Sequence, residues 1–409
     1  MSLKKFGFMP ADILIPADAD MKKWSVIACD QYTSQPDYWQ RVENTVDDAP
    51  STYNLIFPEI YLETVNNEEK INSINTAMNE YIKSGLFREI KDSFIYVKRE
   101  VTGGKIRHGL MGMVDLEAYD YTKGSKTLIR ATEGTVLERI PPRVKIRINA
   151  SLELPHIMLL VDDKDNVLFN AAEKKCGEVV YDFDLMESSG HITGYKLGAD
   201  EEIKNALSTL YEACDNDNRL LFAVGDGNHS LATAKQCWQQ IKANLSDEEK
   251  QTHPARYSLV ELVNIHDKSL EFEPIHRVLF DCEPEKIVSD MKAYYNATET
   301  YEDGAQELIY VINGAEKSMY IKNAPSYLPV GTLQGYIDKF LQNVKVDYIH
   351  GADVTKNLAQ GNNLGFILPP MDKSDLFKTV VADGALPRKT FSMGEACDKR
   401  FYLECRKVK

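Results

Sequence analysis

Asp226, Asn228, His229 and Ser230 stand within six residues, Gly225 to Ser230, between a continuous apolar run and a helical pattern. Leu220 to Val224 has the length and composition of a buried strand. Leu231, Ala234, Trp238, Ile241 and Leu245 then recur at three- and four-residue intervals, which predicts one face of a helix. The turn between them is therefore a strand-to-helix elbow. Gly225 and Gly227 permit backbone angles barred to other residues and let a ligand approach the main chain, while Asp226, Asn228 or Ser230 can cap the helix. Amides at the helix start attract an anion. A carboxylate at Asp226 repels a bare phosphate, and a bridging magnesium would reconcile the two, because that ion prefers carboxylate and phosphate oxygens. His229 has the chemistry to donate to a phosphate or to carry a proton. A plain structural turn accounts for the same spacing, and neither GxxxxGK[ST] nor GxGxxG is present.

Further candidates lie at other strand ends. Trp24 to Cys29 reads as a buried strand, so Asp30 falls at its carboxyl end, where open α/β sheets place ligand groups. Asp30 would accept a proton or hold a metal there; its bland alternative is to cap the Pro36 to Val46 helix. The run Arg139 to Arg147 supports two readings. As a strand it puts Arg143, Lys145 and Arg147 on one face, and as a helix it puts Arg143 and Arg147 one turn apart. Either form concentrates cations, as a solvated face or as a clamp for phosphates. Within the strand pattern Phe272 to Phe280, His276 and Arg277 point to opposite faces. Lys389 sits in a loop after Gly384 and Pro387, where a lysine would reach a phosphate.

Composition narrows the function classes. The 409 residues are 43% hydrophobic and 27% charged, as in folded globular chains. A net charge of -14 disfavours attraction to nucleic-acid backbones. No apolar run reaches the roughly 18 to 20 residues that span a bilayer, and the opening residues are too polar for a secretory signal, so a cytoplasmic location is expected. The seven cysteines form no CxxC pair and read as reduced thiols.

The remaining patterning predicts a hairpin around Thr102-Gly103-Gly104, helices over Glu68 to Gly85 and Glu201 to Cys214, and a hairpin turn at Asp162 to Asn166. The fold class expected is α/β to α+β with mixed sheets. Three regions are expected: an N-terminal α+β domain over 1–165, a central unit over 166–300 carrying the elbow, and a C-terminal α+β region over 301–409.

The elbow resembles the Asp-Gly-His-His-Arg box of the ParB and sulfiredoxin-like superfamily, whose loop and helix start hold nucleotide phosphates. Around it, Ile129 to Thr135, Arg143 to Asn149, Pro274 to Leu279 and Leu386 to Phe391 fall in the order of the family called domain of unknown function 1015. Pro10 to Asp12 and Val26 to Tyr32 are similar too. The resemblance implies a ParB/sulfiredoxin-like central unit flanked by α+β elements, a helix at Arg143 to Arg147, and functional placement of both His276 and Arg277. It puts Glu133 on the family's acidic position, as metal ligand or base. Asp226, Gly227 and His229 match the box, whereas Asn228 replaces its first His and Ser230 its Arg. The missing arginine calls for a cation from elsewhere, with Arg277, Arg143 and Arg147 as candidates.

The same superfamily includes archaeal free-serine kinases, which implies a nucleotide-dependent phosphotransferase acting on a small hydroxylated metabolite such as an amino acid. ATP or ADP with Mg2+ would be its cofactors. In that scheme Gly225, Gly227, Asn228, Ser230 and His229 hold phosphates, Asp226 meets the metal, and Arg147 and Arg277 stabilise the transferred group. Glu133 or Asp30 orients or deprotonates the acceptor. The alternatives are a non-catalytic nucleotide or metabolite sensor and a metal-dependent hydrolase built on Asp226 and His229. The partners expected are nucleotide and small-molecule substrate, with a homodimer allowed and neither nucleic acid nor membrane.

Overall fold

The long β-branched and aromatic stretches of the chain pair into sheets, and the periodic segments between them cover those sheets as helices. A computed structural model describes residues 2–62, 67–135 and 137–409. The chain divides into two units, Met1–Leu270 with Gly394–Lys409, and Glu271–Met393.

The first unit is built on an eleven-stranded mixed sheet. Its long hairpin, Phe87–Val101 and Lys105–Asp115, turns at Thr102–Gly104 as the Gly-Gly pair predicts. Next to Lys105–Asp115 come Tyr257–Asn264, Met158–Val161, Phe222–Asp226, Ile129–Ala131 and Tyr119–Asp120. Met158–Val161 runs parallel to Tyr257–Asn264 and antiparallel to Phe222–Asp226, which is parallel to Ile129–Ala131. The elbow strand is thus an interior strand, which is why Phe222, Ala223 and Val224 are all buried. Phe8, Phe94 and Phe222 meet at centroid distances of 5.3 and 5.9 Å, in the core that also takes Leu231, Ala234 and Trp238 from the elbow helix. Burial of a Phe or Leu side chain contributes about 1.5–3 kcal/mol, so Phe222 and Leu231 anchor the elbow on both sides.

The second unit carries an antiparallel six-stranded sheet centred on Phe272–Phe280, Leu364–Ile367 and Gln306–Ile312. Helices Pro284–Tyr295, Pro329–Phe340, Ala352–Leu358 and Lys373–Asp383 belong to it.

Several expectations change. The boundary expected at 165 would cut the eleven-stranded sheet between Met158–Val161 and Val179–Asp184, so the first unit continues to Leu270. The segment after Asp162 is no hairpin: Val167–Lys174 is a helix, because Asp163 accepts from the Val167 and Leu168 amides at 2.8 and 2.9 Å. Trp24 ends a short helix, Met21–Trp24, capped by Asp20, and only Val26–Ile27 is strand. Ile140–Arg147 is a helix, and Pro36–Val46 is one as well. The cysteines are free thiols. Among the described residues no helix is long and apolar enough to cross a membrane.

Candidate functional site

The elbow needs both of its glycines. Pairing with Met158–Val161 shifts register between Val224 and Asp226, and a Cβ on Gly225 would fall 2.7 Å from Leu160 Cγ. Gly227 has φ 76°, and a Cβ there would meet Ile157 Cα at 3.0 Å. A side chain at Gly227 would be both strained and crowded. Gly227 is itself the residue before helix Asn228–Lys242, so the cap position supplies no side-chain hydrogen bond.

The three expected caps are engaged otherwise. Asp226 Oδ1 accepts from the Gly227 amide at 2.9 Å, one position too early to cap the first turn. Asn228 ties the elbow to the neighbouring strand end, accepting from the Thr132 amide and donating to Thr132 Oγ1, both at 3.3 Å. Ser230 Oγ turns to His156 Nε2 at 3.1 Å. The residue at the cap position, Gly227, has no side chain to place on the positive end of the helix.

A polar cluster from three distant segments surrounds this turn. The antiparallel pairing of Phe401–Tyr402 with Val26–Ile27 brings the C-terminal segment beside Cys29 and Asp30. Lys399 Nζ then lies 3.2 Å from Asp226 Oδ2, each side chain about one fifth exposed. His156, just before the strand Met158–Val161, is buried. Its Nδ1 meets the Tyr402 hydroxyl at 2.7 Å, and its Nε2 lies 4.0 Å from Asp30 Oδ2. Tyr402 donates to Cys29 Sγ at 3.1 Å. Burial raises the Asp30 pKa, but His156, the Gln31 amide and Lys399 together outweigh it and hold the carboxyl below its ordinary value. Asp30 is an ionised carboxylate beside a histidine. It does not cap Pro36–Val46, whose cap position is Gln35. Burial and the Asp30 charge push the Cys29 thiol up to about 12, so it is neutral.

Lys399 is a cation at the elbow, whereas Arg143 and Arg147, considered for that place, are tied to carboxylates of their own. Arg143 pairs with Glu59, whose amide donates to Cys29 O at 2.8 Å. Arg147 pairs with the buried Glu153. Helix Ile140–Arg147 packs on the elbow helix through Ile140, Val144, Ala232 and Cys237. Glu133 follows the strand Ile129–Ala131 and is half-buried, next to the Thr132 that holds Asn228. His229 is in the first turn of the elbow helix, also half-buried, and its carbonyl accepts from Thr233 Oγ1 at 2.7 Å.

His276, Arg277 and Lys389 belong to the second unit. His276 Nδ1 accepts from the Leu368 amide at 3.1 Å, and burial, with Arg277 and His350, lowers its pKa, so the ring is neutral. Arg277 is fully buried, stacks 4.8 Å over Tyr348, and donates to the carbonyls of Ile275, Arg388 and Lys389 and to Gln334. Burial brings its pKa down to about 10. The guanidinium is a strut for the loop at 388–389. Lys389 is exposed at φ 57°.

Among the described residues no group of three or more His, Cys, Asp or Glu side chains is arranged to hold a metal ion. Asp226 fits a more limited role. Its two oxygens offer about four lone-pair positions, of which the Gly227 amide and Lys399 take two, and magnesium commonly uses one or two carboxylates together with phosphate oxygens.

Sequence patterning missed His156, Lys399 and Tyr402. For His156 a signal was present, since it directly precedes the apolar run Ile157 to Val161 as Asp30 directly follows another. Lys399 and Tyr402 carry no local mark.

The class of protein is thus a mixed-sheet α/β chain with a glycine elbow opening a helix, and the chain belongs to the family described as "Protein of unknown function (DUF1015)", whose model matches residues 12–343. Its structure is similar to a free serine kinase in complex with AMP, at TM-score 0.39 and 10% identity over 76% of this chain and 95% of that one. It is similar also to C-terminally truncated SbnI from Staphylococcus aureus, at TM-score 0.37 and 9% identity over 69% and 82%. A conserved hypothetical protein from Pyrococcus furiosus aligns at TM-score 0.34 and 9% identity over 72% and 94%. No curated protein matches the sequence.

Proposed function

We propose that the protein is a nucleotide-dependent phosphotransferase acting on a small hydroxylated metabolite, with amino acids first among the acceptors to test. The observation that carries this reading is one arrangement: a helix start whose cap position is a glycine, with the Lys399 and Asp226 pair at the turn and with Ser230 of the first turn joined to His156, which lies beside Asp30. Amides of the first turn would hold the terminal phosphates of ATP or ADP, with Lys399 adding charge. Asp226 would share a magnesium with those phosphates, and the ion would supply charge neutralisation when bound. His156, beside the ionised Asp30, is suited to take a proton from a hydroxyl, because the carboxylate stabilises the imidazolium that forms. The test is incubation with ATP or ADP, magnesium and a panel of hydroxylated metabolites. Nucleoside diphosphate or monophosphate should appear with wild type and not with Asp226→Ala; a panel silent throughout would count against the proposal.

A second reading, a nucleotide sensor without turnover, is favoured by the pairing of Arg143 and Arg147 with Glu59 and Glu153, which leaves neither placed as a bidentate phosphate donor at the elbow. Calorimetry that finds nucleotide binding with no product would favour it.

A further inference from the structure

Ser230 sits in a relay that a phosphate-binding role alone does not require. Its Oγ is 3.1 Å from His156 Nε2, within the reach at which a nucleophile hands a proton to a base. The base is in turn oriented. Tyr402 donates its hydroxyl hydrogen to Cys29 Sγ, so its oxygen is left to accept from His156 Nδ1 at 2.7 Å. With the hydrogen on Nδ1, the Nε2 lone pair faces Ser230. Asp30 Oδ2, 4.0 Å from Nε2, supplies the negative charge that an imidazolium needs. The serine stands in the first turn of the elbow helix, where developing negative charge on a phosphoryl group meets the positive helix end. Gly225 and Gly227 fix the turn that presents it, since neither position tolerates a Cβ.

We infer that Ser230 is a nucleophile that accepts the terminal phosphoryl group of the nucleotide, so that transfer to the metabolite runs through a phosphoseryl form of the protein. This deepens the phosphotransferase reading and rests on it. In the first step Ser230 Oγ bonds to the terminal phosphorus, the bond from that phosphorus to the bridging oxygen breaks, the shortened nucleotide leaves, and the Oγ proton passes to His156 Nε2. In the second step the acceptor hydroxyl oxygen bonds to the same phosphorus and the bond to Ser230 Oγ breaks. His156 returns its proton to Oγ, and the acceptor proton goes to the Asp30 carboxylate. No oxidant or further reactant is required.

The experiment is incubation of the full chain with magnesium and ATP or ADP radiolabelled at the terminal phosphate, without acceptor, followed by acid quench and peptide mapping. The expected result is an acid-stable, alkali-labile label on the peptide that carries Ser230, discharged on addition of the acceptor. Ser230→Ala should abolish the label and His156→Gln should cut its rate of formation by a hundredfold or more, on the order expected for a lost general base. The mapping on wild type requires no variant, so a misfolded Ser230→Ala would not blur the answer. A label that survives a parallel alkaline quench but is lost in acid would place the phosphoryl group on a histidine and overturn the inference. Product formed with no label, or full turnover by Ser230→Ala, would overturn it while leaving the phosphotransferase reading intact; neither label nor product would overturn both.

Discussion

The segment from Lys399 to Arg406 supplies two charged regions of the first unit, and they are built on opposite terms. Lys399 and Tyr402 go to the elbow. Arg400, Glu404 and Arg406 go inside. Arg400 pairs with Glu261 at 2.6 Å and with Glu404, Tyr181 donates to Glu404 at 2.6 Å, and all of these side chains are buried. Arg406 Nε meets Glu153 at 2.6 Å, and Glu153 also takes Arg147, Ser258 and the Leu259 amide. Burial would lower the Arg400 pKa, but Glu261 and Glu404 outweigh it and keep the guanidinium charged.

The difference is one of exchangeability. Removing one partner of a buried pair strands a charge and costs about 3–5 kcal/mol, so the inner network can only hold the fold. A pair that keeps contact with water, as Lys399 and Asp226 do, is worth about 0–1 kcal/mol. A phosphate or a metal can displace it at little cost. The same stretch of chain thus provides a fixed clamp and a replaceable one.

Substitutions in the two regions should separate accordingly. The largest effect belongs to His156→Gln, which should lower turnover about 10²–10⁴-fold while nucleotide binding persists; steady-state rates beside calorimetric titrations measure both. Next, Glu404→Leu leaves Arg400 with half its partners and should reduce the free energy of unfolding by about 3–5 kcal/mol in a denaturant titration, without altering nucleotide affinity in the folded fraction. A loss of affinity there would collapse the distinction between the regions. Lys399→Met should do the reverse: a charged hydrogen bond to phosphate is worth about 1.5–3 kcal/mol, so affinity should fall roughly tenfold or more, with unfolding changed by less than about 1 kcal/mol.

The smallest effect is on pH dependence. Asp30 is held below its ordinary value in the folded state, so its contribution to stability is present above the ordinary carboxylate range and is lost as pH falls through the folded value. Asp30→Asn should flatten that acid limb of the stability profile. An unchanged limb would mean that His156 and Lys399 do not act on Asp30 as their positions imply.

Much of the elbow was legible because its determinants are local. The apolar run through Val224, the two glycines and the spacing of Leu231, Ala234 and Trp238 dictate strand, turn and helix, and each of those side chains is buried as the pattern requires. The cluster around it was not legible, because its residues meet only through the sheet and the returning C-terminal segment. Ser230 and His156 are 74 residues apart, and His156 and Tyr402 are 246 apart. Charge in the sequence does not reveal the cation: Arg143 and Arg147 stand out in a basic run, yet Glu59 and Glu153 neutralise them, and the lysine that reaches Asp226 sits in an unremarkable Asp-Lys-Arg sequence. The Asp162 to Asn166 stretch was ambiguous for another reason. Asp and Asn favour hairpin turns and helix starts alike, and Asp163 chose the helix by accepting from two of its amides.

The central claim is that the turn from Gly225 to Ser230 holds phosphates. Amide resonances of the isotope-labelled full chain, followed as ADP and magnesium are added, test it most directly. Saturable shifts at Gly227, Asn228, His229 and Ser230, weakened by Lys399→Met, are the predicted result. Saturable shifts confined to residues away from the elbow, with those four unmoved, would contradict it.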